Sequence, residues 1–388
     1  MLDRVKCVNV PRIKRLIQES GLDAVLVSSA EALPSLSAFY HWDVAALQEF
    51  PHYVLWPAKG EPCFIGPSRR GHLRKSPIIT DTRSYTHDVQ RKGNASWRAT
   101  QVTPVQQVAG AIRDRDIAAG RIGVEMRHFQ LGYALELQQL LPDIRLEDCE
   151  GVLDRIRAVK TPAEVEHLRI ASYATDKALA LGLTMARPGD SEKKVSNRIS
   201  SLLLEYGASA LSHAALCSGE RCRTPHHAGT ESAILREGDL VAADFGGVFE
   251  GYITDMARMA VVGKPTLRQS DWYSRMGHAH LGAIGRIVAG LPVKELVRII
   301  REELKTVGMT TKYEMLGHSL GIGVHDWPMI TPHSDAVLEQ DMVLAVEIMT
   351  EDPDTEDRFE TEDIIRVTSS GAERLTKFSS PAELLRIS

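Results

Sequence analysis

In the second half of the chain, four carboxylates stand on stretches that otherwise read as buried strands, and two histidines lie among them. Asp244 follows the apolar run Leu240-Val-Ala-Ala243, and Asp255 shares a period-two face with Ile253, Ala257 and Met259. Glu347 closes Met342-Val-Leu-Ala-Val346 on the face of Val343 and Ala345, and Glu362 shares a face with Ile364. Between these acids, Gly317-His-Ser-Leu-Gly-Ile-Gly-Val-His-Asp326 places His318 and His325 seven residues apart among glycines that let backbone pass close to a neighbour. An ionised carboxylate among apolar side chains is costly unless a partner cation or a metal offsets its desolvation. Taken alone, the two aspartates also read as hydrogen-bonding turn residues. Four acids and a histidine together call for a cation. An oxygen-rich set with one imidazole suits Mn²⁺, Co²⁺, Fe²⁺ or Zn²⁺, and the absence of thiolate argues against a structural zinc site. Two such ions sharing carboxylates hold a bridging hydroxide at neutral pH.

The elements that must position these groups follow from pattern and punctuation. Residues 240–258 predict two strands joined by a Gly-rich turn, one aspartate on each. Residues 342–347 and 359–368 predict further buried strands, with helices over about 272–288 and 293–307 between hairpin and Gly-His turn. Thr161-Pro-Ala-Glu164 supplies an N-cap, a first-position proline and a glutamate three residues after the cap, which starts a helix over 162–185. Pro188-Gly-Asp190 breaks it, and a second helix covers 191–206. Two helices followed by strands indicate an α+β second domain. Upstream, a helix over 11–20 stopped by Gly21, strands over 22–28, 53–57, 62–66 and 121–125, and helices over 104–114 and 129–140 indicate an α/β domain. With 388 residues, two domains are expected, divided near 150–160, hence 1–155 and 156–388. His41, Trp42 and Asp43 fall in a loop, either facing a ligand or as ordinary loop residues.

The net charge of −5 argues against a nucleic-acid-binding surface. No apolar run approaches the length of a membrane span, and the N-terminus lacks the apolar stretch of a signal peptide. Five scattered cysteines without C-x-x-C spacing read as reduced thiols, so a cytoplasmic protein is expected.

The chain resembles the pita-bread metallohydrolases, the family of methionine aminopeptidase, Xaa-Pro aminopeptidase, prolidase and creatinase. Asp244, Gly246, Gly251, Tyr252, Asp255 and Arg258 meet its Asp-x-Gly and Gly-Tyr-x-x-Asp-x-x-Arg pattern; His318 and His325 meet its Gly-His turn. Glu347 and Glu362-Asp363 meet its two later acidic positions. Gly219-Glu-Arg-Cys-Arg-Thr-Pro-His226 fits an upstream Gly-x-Asn-x-x-x-Pro-His stretch, with Arg221 where Asn is usual. Arg157–Glu164 is similar to the segment that joins a creatinase-type N-terminal domain to the pita-bread domain. The resemblance implies a smaller creatinase-type α/β N-terminal domain before an α+β pita-bread catalytic domain. It implies two divalent metal ions held by Asp244, Asp255, His318, Glu347 and Glu362, with Asp255 and Glu362 bridging and Glu347 also acting as general base. His226 and His325 are implied as hydrogen-bond donors to substrate and oxyanion. His227 is an alternative to His226, and Glu360 to Glu362. A homodimer is implied as well, with His41–Asp43 at the border of the partner's site.

Several residues depart from the family pattern. Metal-dependent peptidases of this kind usually carry Glu-Pro-Gly where this chain has Glu347-Ile-Met, followed by an acidic loop over 351–357. Ala257 replaces a threonine, and Arg223 and Arg366 are unexpected cations that pair with a substrate carboxylate or make structural ion pairs. The leading expectation is hydrolysis of an amide-type C–N bond in a dipeptide or other small molecule, of the Xaa-Pro dipeptidase or aminopeptidase type. The alternatives are a non-peptide hydrolase or lyase, ectoine-hydrolase-like or dimethylsulfoniopropionate-lyase-like, and a non-catalytic binding protein.

Overall fold

Strand β1, Ala24–Val27, is buried on both faces: Ala24 and Leu26 enter one apolar cluster, Val25 and Val27 another. A strand of this kind must lie inside a sheet with helices on both sides. The computed structural model describes residues 2–40, 51–69, 72–73, 75–86, 102–224 and 227–388. His41–Asp43 and His226 lie outside the described residues. The chain divides into two compact units, Asp3–Arg157 and Ala158–Ser388.

The first unit contains β1 with β2 (Tyr53–Pro57), β3 (Cys63–Arg69), β4 (His72–Leu73), β5 (Asp81–Thr86), β6 (Arg121–Val124) and β7 (Arg145–Asp148). The sheet order is β4-β3-β2-β1-β6-β7, with β5 on β3. Helices Val10–Ser20 and Glu150–Ala158 supply Ile13, Leu16, Leu153 and Ile156 to one face; Pro104–Arg113 and Leu131–Leu140 supply Val108, Ile112 and Leu137 to the other. Gly21 ends the first helix with a left-handed φ of 71°, as its position after Ser20 predicts.

The second unit is built on two five-stranded sheets. One holds β8 (Ala210–Ser218), β9 (Leu240–Phe249), β10 (Tyr252–Ile253), β11 (Met256–Val262) and β17 (Leu385–Ile387). The other holds β12 (Gly317–Ser319), β13 (Asp326–Met329), β14 (Val343–Glu351), β15 (Arg358–Thr368) and β16 (Gly371–Arg374). Helices Pro162–Thr184 and Glu192–Glu205 cover one face of the first sheet, meeting Val241, Ala243 and Phe245. Leu240 and Ala242 point the other way, into a core shared with helices Leu267–Ile284 and Val293–Thr306 and with Leu344, Val346 and Ile365 of the second sheet. The reciprocal Thr161–Glu164 capping box expected for the long helix is present.

The hairpin differs from expectation at one point. Asp255 is not in a strand but immediately before β11, because the ladder is interrupted at Thr254, which stays opposite Gly247 but takes the Gly247 N–H with its side chain. The Thr254 N–H donates to the Gly247 carbonyl at 3.0 Å, and its hydroxyl accepts from the Gly247 N–H at 3.0 Å.

Candidate metal centre

Antiparallel pairing fixes the floor of the site. On β14 and β15, Glu347 stands directly opposite Glu362, and on β9 Asp244 stands opposite Ala257 of β11. Asp255, two residues before Ala257, therefore comes close to Asp244. His318 enters from β12, opposite Ala345. This placement needs Gly317, whose φ is +130° and whose added Cβ would lie 2.2 Å from the Ala345 carbonyl oxygen. The His318 Nδ1–H donates to the Ser319 carbonyl at 3.1 Å. Its Nε2 is thereby left facing Asp255 Oδ2 at 3.5 Å and Glu362 Oε1 at 3.9 Å.

These five side chains line one cavity of about 420 Å³, together with His325, Ser212, His213, Met315 and Val324. His325 is exposed and packs edge-on against His318 at 4.5 Å between ring centroids. Behind the cavity, Arg258 is fully buried and ties β11 to β15. Its guanidinium donates to the Glu362 carbonyl at 2.6 Å, the Asp363 carboxylate at 2.7 Å and Thr361 Oγ1 at 3.2 Å. The other Asp363 oxygen pairs with His280 at 3.0 Å.

The electrostatics are those of crowded buried acids. Asp244, Asp255 and His213 offer atoms within 4.8 Å of one another; two carboxylates at that range repel by about 3 kcal/mol at an effective dielectric of about 20. Burial raises the Asp255 carboxyl, but hydrogen bonds from His213 and then His318 outweigh it and hold the group below the usual range. Burial pushes Glu347 up to about 7; His318 opposes this, while Asp255 and Asp244 add to it. Glu362 is raised well above the carboxylate range by burial, then by Asp255 and Glu347. Burial, then His318, lowers the His325 imidazole. Glu347 Oε1 is buried and has no hydrogen-bond partner among the described residues. A buried orphan oxygen beside three further carboxylates and an imidazole fits divalent-metal ligation, which satisfies lone pairs and charge together.

Other expectations fall outside the cavity. Glu360 is buried in an ion pair with Arg358 and does not line it. Arg366 pairs with Asp341 at 2.6 Å, and Arg223 pairs with Glu356 at 3.2 Å and donates to the Thr355 carbonyl, so both are ion-paired away from the ligand set. Arg221, at the usual Asn position, pairs with the buried Glu192 at 3.2 Å; Glu192 also accepts from the Ser218 and Thr230 N–H groups and so organises the loop ahead of β9. Ile348 joins the apolar core, and Met349 is buried outside the lining, so the departure after Glu347 does not reach the cavity wall. His213 is the site residue that sequence reasoning missed.

Residues 166–369 match the model of metallopeptidase family M24, and residues 10–159 match the creatinase/prolidase N-terminal domain. This chain belongs to metallopeptidase family M24. It is a metal-dependent peptidase by family, with the creatinase-type N-terminal domain and pita-bread C-terminal domain expected of it. The M24 chain is 31% identical over 230 residues to an Xaa-Pro dipeptidase of Pyrococcus furiosus, a match covering 59% of this chain and 66% of that protein. A putative dipeptidase of Bacillus subtilis, YkvY, is 25% identical over 383 residues, 97% of this chain and 99% of the relative. A solved Xaa-Pro dipeptidase from Bacillus anthracis superimposes with a TM-score of 0.81 at 25% identity, covering 97% of this chain and 99% of that one. Among the described residues, no helix is long and apolar enough to cross a membrane, and all five cysteines are buried free thiols.

Proposed function

We propose that this chain hydrolyses the amide bond of small peptides of the Xaa-Pro dipeptide type, with two divalent ions held by Asp244, Asp255, His318, Glu347 and Glu362. The observation that carries this reading is the convergence of those five side chains on one cavity of about 420 Å³, within the size range of small-ligand sites. When bound, the ions supply water activation at neutral pH and charge stabilisation at the reacting oxygens.

The chain's own residues do the rest. Asp255 spans the site, one oxygen toward the His213 side and the other toward His318, so it would hold an ion from either side. Glu347 takes the proton of the attacking water and returns it to the leaving amine. His325, exposed and shifted toward its neutral form by burial and His318, donates a hydrogen bond to the carbonyl oxygen as charge builds there. Met315, Val324, Ala214 and Ala215 give the wall an apolar surface for a prolyl ring. His226 belongs to the same proposal as a second donor.

The test is a substrate panel with Mn²⁺, Co²⁺, Fe²⁺ and Zn²⁺. Xaa-Pro dipeptides are expected to be cleaved faster than other dipeptides, cyclic amides and betaine-type compounds. Turnover confined to the non-peptide compounds would overturn the peptidase reading.

A further inference from the structure

His213 lies outside the five positions given to metal by the family resemblance, yet it lies against both aspartates. Its Nε2 is 2.9 Å from Asp244 Oδ1 and 3.1 Å from Asp255 Oδ1. We propose that His213 is a sixth ligand, a nitrogen donor to the ion on the Asp244 side, so that the centre carries one imidazole at each end; this rests on the dinuclear reading above.

Three independent features support it. Donors bound to one ion at about 2.1 Å and at right angles stand about 3.0 Å apart; the separations of Nε2 from the two aspartate oxygens match that edge. Asp255 addresses the two imidazoles with different oxygens, Oδ1 to His213 and Oδ2 to His318, so the histidines serve opposite sides of one bridging carboxylate. Finally, the His213 Nδ1 lies 3.1 Å from Ser212 Oγ. As the structure stands, Nε2 hydrogen-bonds the aspartates, so an entering ion would displace the Nε2 proton; an Nδ1–H donated to Ser212 would then hold the ring with its Nε2 lone pair toward the ion, the outer hydrogen bond that ligating histidines require.

The backbone is shaped for this placement. The pairing of β8 with β9 slips between Leu211 and His213, an irregularity of the kind that re-aims a side chain beside a site. His213 then stands opposite Gly246. A Cβ on Gly246 would lie 2.2 Å from Ser212 Oγ and 2.5 Å from His213 Cε1, so glycine there makes the room that Ser212 and the imidazole occupy. The chemical consequence is selectivity. A nitrogen in an otherwise oxygen set biases the Asp244 subsite toward Co²⁺, Fe²⁺ and Zn²⁺ over Mn²⁺.

The experiment titrates metal-stripped wild type, His213→Gln and His213→Ala with Co²⁺ and separately with Mn²⁺, by calorimetry and, for Co²⁺, by the visible absorption of the bound ion. Glutamine retains a hydrogen-bond donor toward the aspartates but is a poor metal ligand, and its metal-free thermal midpoint checks folding. The expected result is two Co²⁺ ions per wild-type chain, with one of them bound at least about tenfold more weakly in both variants. The Co²⁺ spectrum should change, and the ratio of Co²⁺ to Mn²⁺ affinity should fall. Two Co²⁺ ions bound by His213→Gln with wild-type affinity and spectrum would overturn the ligand role and leave the dinuclear reading standing. Failure of the wild type itself to bind would overturn both.

Discussion

Glu347 and Glu362 face each other across adjacent antiparallel strands, and among the described residues the His318 imidazole is the ion-pairing group that reaches toward their carboxylates. Two acids in register on a buried face repel each other, a cost that bound ions would relieve. Removal of metal with a chelator should therefore lower the thermal midpoint and abolish turnover, and re-addition should restore both. An ion at 100 times its dissociation constant stabilises by about 2.7 kcal/mol per site, read as the shift in midpoint on titration.

Glu347→Gln keeps the shape of the side chain and removes its basicity. Turnover measured at saturating Co²⁺ should fall by about 10²–10⁴-fold, with the metal-free thermal midpoint unchanged or raised. Near-wild-type kcat in this variant would show that another group takes the proton.

Arg258→Ala should be the most damaging single change away from the cavity. Arg258 and Asp363 are both fully buried, and removing the cation leaves the carboxylate with His280 and Thr376 as its close partners, at a cost of about 3 kcal/mol. Urea denaturation reads this directly. Because Arg258 also holds the Glu362 carbonyl, Co²⁺ affinity should fall with it.

The pH dependence of stability has a traceable contributor at Asp190, before the helix Glu192–Glu205. Burial raises its pKa, but Lys194, the Arg187 N–H and Arg198 more than reverse this and hold it below the usual carboxylate value. A group depressed in the folded state contributes fully above its unfolded pKa and loses that contribution as pH falls through the folded one. Asp190→Asn is expected to cost about 1 kcal/mol at pH 7, with the gap to wild type closing toward pH 3. A gap that is constant with pH would assign the effect to packing.

Much of this architecture was legible because local signals agreed with one another. The capping box at Thr161–Glu164, the stop at Gly21 and the apolar run before Asp244 each describe what the backbone does there. The apolar pattern starts the helix Leu267–Ile284 at Trp272, five residues inside its true start, which the Thr266–Gln269 capping box marks. Period-two counting puts Glu360 and Glu362 on one face; the Glu362-Asp363 pair ahead of Val367-Thr368 favours Glu362, and the register opposite Glu347 and the Arg358 partner of Glu360 agree. His213 was invisible for a similar reason. Its neighbours Ser212 and Ala214 carry no strand alternation, and its aim depends on a slip in pairing with a strand about thirty residues away. A histidine paired with the glycine of an Asp-x-Gly motif would have been the signal.

The site takes Asp244 and Asp255 from one five-stranded sheet and His318, Glu347 and Glu362 from the other. An ion held there is a rivet through two separately bonded layers. Amide hydrogen exchange should then slow in β9 and β14 together as metal is added.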